Sequence, residues 1–104
     1  MEIGELQHII NSETGVVIYF KNNKCAPCMA LRPKVEELVN MNFPKMKFVM
    51  VDTISNPKLT SAFNVFANPT ILVFFEGKEY IRKSKFIGMS ELDQEMERIY
   101  KMVF

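Results

Sequence analysis

Cysteine and histidine are scarce: among 104 residues there are two cysteines and one histidine, His8. A tetrahedral zinc site built from such ligands takes four, so a metal centre would need a second copy of the chain or outside ligands. Glycine is nearly as sparse, at four residues, and no glycine-rich nucleotide-binding loop is present. An excess of charge is missing too. Thirteen Lys and Arg against twelve Asp and Glu leave +1, without the basic surplus that phosphate backbones require, which argues against a nucleic-acid binder. The apolar runs at 16–20 and 70–75 fall far short of the roughly 20 residues of a membrane helix, and Glu2 and Glu5 interrupt any signal-peptide pattern. These absences lead to the expectation of one soluble domain over residues 1–104, cytoplasmic and monomeric, with no bound metal or cofactor.

What is present centres on Lys24-Cys25-Ala26-Pro27-Cys28. If a helix starts at the first cysteine, Cys25 is its N-cap and Cys28 lies three residues in, so both sulfurs fall on the first turn. There, unpaired N–H groups and the helix dipole favour a thiolate. Pro27 suits that turn, having no N–H to leave unpaired and a fixed φ. In a cytosolic protein, two cysteines at this spacing read as redox-active or metal-binding more readily than as a structural staple.

Along the chain, Ile3, Leu6, Ile9 and Ile10 recur at helical spacing, with His8 as an exposed or packed helix residue. Residues 16–20 read as a strand covered on both faces, delivering the chain to the motif. The following helix places Met29, Leu31, Val35, Leu38 and Val39 on its apolar face, is kinked by Pro33, and stops near Asn40, Asn42 and Pro44. Residues 46–51 read as a second buried strand, making a parallel unit. Asn56-Pro57 introduces a short helix with Leu59, Ala62 and Phe63 inward, ended by Asn64. Pro69 then leads a third buried strand at 70–75, a tight turn at Glu76-Gly77-Lys78, and a fourth strand at 79–87. Arg82, Lys83 and Lys85 protect that strand as a solvated edge. Gly88 ends it, and Ser90 with Asp93 approximates a capping box for a last helix carrying Leu92, Met96, Ile99 and Val103. The eight methionines are best read as adaptable core filler.

This order, together with Cys25-Ala26-Pro27-Cys28, Pro33, Asp52, Asn68-Pro69-Thr70 and Gly88, resembles the thioredoxin family over nearly the whole chain. The resemblance implies an α/β thioredoxin-like fold. Its centre is a four-stranded mixed sheet flanked by helices on both faces, the family's extra first strand being absent or reduced to residues 1–3. It implies a thiol–disulfide oxidoreductase with Cys25 as attacking thiolate and Cys28 as the resolving thiol. Lys24 would favour the charged form of Cys25. Ala26 and Pro27 would face the substrate, Pro69, in cis, would press on the cysteine pair and keep metals away, and Asn68 would pair by its backbone with an extended substrate segment. Electrons would come from NADPH through a flavin-containing reductase of the thioredoxin reductase type, and the substrates would be disulfide-containing proteins.

The departures are as informative. The family's two tryptophans near the motif are replaced by Lys21 and Lys24, and there is no tryptophan anywhere. Tyr19 stands where the family buries an aspartate, and Phe48 where it places that aspartate's lysine partner, so the resemblance supplies no proton relay for Cys28. Ala26 replaces the commoner glycine. The alternatives are a thioredoxin-like adaptor with slow or vestigial redox chemistry, half of a metal site, and an inert buried pair. A glutathione-dependent role is disfavoured because paired glycines before the last helix are absent.

Overall fold

The computed structural model describes residues 1–104. Eight elements follow in order: α1 (Ile3–Ser12), β1 (Gly15–Lys21), α2 (Ala26–Asn42), β2 (Lys47–Asp52), α3 (Pro57–Ala62), β3 (Thr70–Phe75), β4 (Lys78–Ser84) and α4 (Met89–Val103). No strand precedes α1. The four strands form one mixed sheet in the order β2-β1-β3-β4. β1 pairs in parallel with β2 across α2, and antiparallel with β3, which in turn pairs antiparallel with β4.

The two central strands explain the two longest apolar runs. β1 and β3 have a strand on each side and helices above and below, so Val16–Phe20 and Thr70–Phe75 are buried throughout. Alternation then sorts their side chains. Val17, Tyr19, Ile71, Val73 and Phe75 pack with Val35 and Val39 of α2 and Leu92 and Met96 of α4. Val16, Ile18, Phe20, Leu72 and Phe74 pack with Leu6 and Ile10 of α1 and Leu59 of α3. The sheet therefore has helices on both faces, as the sequence implied.

Several local expectations are corrected. β2 is an edge strand and only half buried: Val49 and Val51 point inward while Lys47 and Met50 are exposed. Met29 and Ala62, read as inward, are exposed. β4 ends at Ser84 rather than 87, after a bulge opposite Val73/Phe74. The capping box does not form, because α4 starts at Gly88 as N-cap with no side-chain cap bond. Arg82 and Lys83 are more than a solvated edge. Arg82 donates to the carbonyls of Phe63 and Asn64 at 2.9 and 3.0 Å and pairs with Glu79. Lys83 is clipped to Glu91 and Glu95 of α4 at 2.7 and 3.1 Å. α2 runs on through Pro33 to Asn42, and Asn64 closes the α3 segment with φ +56°, a conformation asparagine tolerates well.

Candidate active site

The site begins where β1 ends. Asn22 turns the chain, its side chain accepting the Lys24 N–H at 2.8 Å and its carbonyl the Cys25 N–H at 3.2 Å. Cys25 then takes an extended conformation (φ −93°, ψ 100°) as the N-cap of α2, and its Sγ accepts the Cys28 N–H at 3.2 Å. A sulfur thus occupies the position of a capping oxygen, facing N–H groups and the positive end of the helix. Cys25 and Cys28 are joined in a disulfide, their Cα atoms 5.2 Å apart. The partners differ in access: Cys25 is partly exposed, whereas Cys28 is only 1% exposed.

Beneath the pair, Tyr19 of β1 is wholly buried, and its hydroxyl donates to the Cys28 carbonyl at 2.7 Å. Burial pushes its pKa up to about 12, with the Arg32 charge opposing the rise. At neutral pH the phenol therefore keeps its proton, tethers the first turn of α2 to the sheet, and cannot accept a proton from Cys28. Phe48 stacks near it, ring centroids 6.4 Å apart. Asp52, at the end of β2, points into the following loop. Its Oδ1 accepts the N–H groups of Ile54 and Ser55 at 2.9 and 3.2 Å, and Lys21 lies 3.6 Å from its Oδ2. The Ser55 bond first, then those of Ile54 and Lys21, hold the carboxyl below its usual range.

The second half of the site precedes β3. The Asn68–Pro69 bond is cis and Pro69 is buried. Pro27, from between the cysteines, and Pro69 line the same two shallow grooves, so the structure brings the two motifs together. The Pro69 carbonyl is taken by the Lys85 N–H at 2.8 Å, whereas the N–H and carbonyl of Asn68 make no hydrogen bond within the chain. The Oδ1 of Asn68 is buried without a donor. Lys24, Ala26 and Pro27 are exposed beside Cys25. No group of three or more His, Cys, Asp or Glu is arranged to hold a metal.

Sequence reasoning missed two aromatics on this face. Phe66 is 84% exposed and Phe86 98% exposed, and both flank Pro69. Phe86 lies inside the expected fourth strand, but β4 stops at Ser84 and Lys85 turns the chain with φ +63°, a break that no local sequence signal marks.

The comparisons with known proteins agree with this geometry. The thioredoxin family model matches residues 4–100. The thioredoxin-like protein YdfQ of Bacillus subtilis is 25% identical over 97 residues, covering 93% of this chain and 86% of that protein. Mouse mitochondrial thioredoxin is 34% identical over 86 residues, covering 83% of this chain and 50% of that longer protein. Among solved structures, a mutant thioredoxin from Halobacterium salinarum superposes with a TM-score of 0.83 at 25% identity, covering 93% of this chain and 84% of the other. With the fold, the joined cysteine pair at the tip of α2 and the matching model all in agreement, the chain belongs to the thioredoxin family and is a thiol–disulfide oxidoreductase.

Proposed function

We propose that this chain works as a single monomeric domain that reduces protein disulfides, with Cys25 as nucleophile and Cys28 as resolving thiol. The carrying observation is the difference in access between two bonded sulfurs on one helix turn. In the reduced protein, the Cys25 thiolate attacks one substrate sulfur, forming a mixed disulfide and expelling the other as a thiolate. The Cys28 thiolate then attacks Cys25 Sγ and breaks that mixed disulfide. The second substrate thiolate leaves, and the Cys25–Cys28 disulfide remains. Two electrons have passed to the substrate, and NADPH restores them through a flavin-containing reductase, with no cofactor held by this chain. Asn68 contributes its free N–H and carbonyl to an extended substrate segment, a pairing that tolerates many sequences. Lys24, Ala26, Pro27 and Pro69 shape the contact surface around it.

The compartment is proposed to be the cytoplasm. In support, no helix is long and apolar enough to cross a membrane, and reduction of disulfides suits a reducing compartment. The test is direct. The reduced protein should cleave insulin disulfides, and Cys28→Ser should accumulate a covalent adduct through Cys25. A folded protein with free thiols that does neither would refute the assignment.

A further inference from the structure

The face around the disulfide carries a charge and an aromatic content of its own. Two grooves meet at Pro27, Pro69, Lys85 and Phe86. One extends over Ala30, Leu31 and Lys34, the other under Phe66. Neither is lined by Asp or Glu. Lys24, Lys34 and Lys85 take part in none of the chain's ion pairs, whereas Lys21, Arg32, Arg82 and Lys83 are all neutralised by carboxylates. Glu37, one turn beyond Lys34, lines a further depression together with it on the far side from the disulfide groove, but the two form no ion pair. Lys85 is held in place by structure: it adopts φ +63°, and its N–H is anchored on the Pro69 carbonyl. Phe86, the next residue, is consequently thrown out beside the groove, 98% exposed.

Two nearly bare phenylalanine rings and two unpaired ammonium groups, Lys34 and Lys85, line the grooves that start at Pro27 between the two cysteines. With unpaired Lys24 next to Cys25, they complement a particular chemistry. Resting on the disulfide-exchange reading above, we infer that this face selects extended protein segments in which the disulfide cysteine neighbours an apolar side chain and is flanked by carboxylates. The apolar side chain lies between Phe66 and Phe86. The carboxylates meet Lys34 and Lys85, with Lys24 adding to the field that steers encounter.

The test uses the reduced, full-length protein and synthetic peptides holding one cysteine as a mixed disulfide with neutral pyridine-2-thiol, a leucine nearby, and flanking Glu, Gln or Lys. Release of the thiopyridone reports the rate. At roughly 20 mM salt the Glu peptide should react fastest and the Lys peptide slowest, with roughly a tenfold span that narrows strongly near ~0.5 M salt. Lys34→Glu combined with Lys85→Glu should invert the order. Phe86→Ser should slow all three peptides a few-fold and leave the order intact. The corresponding mixed disulfide of glutathione, which has carboxylates but no apolar side chain, should be slower than the Glu peptide. Equal rates for the three peptides, a preference for Lys, or an order insensitive to salt would overturn the charge selection. Glutathione matching the Glu peptide would overturn the aromatic contribution. If no peptide reacts and Cys28→Ser traps nothing, disulfide exchange itself fails and this inference falls with it.

Discussion

Tyr19 shows how much one side chain can decide at this site. A phenol lies beneath the second cysteine, where the resemblance led to the expectation of an acid, and its O–H is committed to the Cys28 carbonyl. Tyr19→Phe keeps the ring's packing on Phe48 and loses only that bond, so it should cost about 1 kcal/mol in urea denaturation. Insulin reduction should survive, because the hydroxyl serves as a tether and not as a base. The pH dependence has a defined sign. Burial raises the folded pKa from 10.0 to about 12, so the unfolded chain gives up this proton first. The contribution is fully present below about pH 10 and is lost as pH rises towards 12. Lys83, whose pKa is raised first by Glu91 and then by Glu95, loses stability in the same alkaline region. The difference between wild type and Tyr19→Phe isolates the phenol, and an identical alkaline slope in both would show that Tyr19 is not the buried group described.

At the scale of elements, the β3–β4 hairpin depends on its turn. Glu76 and Gly77 have φ of +52° and +81°, the left-handed pair that suits a two-residue hairpin loop. Gly77→Ala would set a side chain in that strained region, with its Cβ 3.4 Å from Asn11 Oδ1, and should destabilise the protein by about 1–2 kcal/mol. Thermal or urea unfolding will measure it. The elements most legible in the sequence were those governed by one strong local signal. β1 and β3 announced themselves as unbroken β-branched and aromatic runs, and α2 as a cysteine followed by proline at a strand end. Reading failed where a neighbour decides. β2 looks as apolar as a central strand, but it has a partner on one side only. Ser90 and Asp93 have capping chemistry, but the chain enters α4 two residues earlier. The Arg82 and Lys83 clasps join segments far apart in sequence, and no local pattern encodes them.

For the whole molecule, the disulfide closes a very short loop, between residues three apart in sequence. Chain-entropy reasoning gives such a loop only about 2 kcal/mol of stabilisation. The oxidised protein should therefore unfold at a modestly higher urea concentration than the dithiothreitol-reduced protein, with one cooperative transition in each. A reduced form that is unfolded in buffer would contradict a core that is held by the sheet and its two helical layers. The location of the site was legible at this scale because the motif, the proline turn and the strand order share one end of the sheet. The aromatic rim was not, since exposure of Phe66 and Phe86 depends on how the loops around Pro69 close.

The hydrogen bond from Lys85 to the Pro69 carbonyl also bears on how much the backbone of this edge would add to the hold on a docked segment. With that oxygen already accepting one bond, a strand docking as proposed would find both peptide groups of Asn68 free. Each main-chain bond made there would be worth about 1 kcal/mol after exchange with water. On the proposed docking mode, that main-chain contribution would help line up a sulfur without by itself retaining the product, and release of a spent client would then follow from the backbone of this edge.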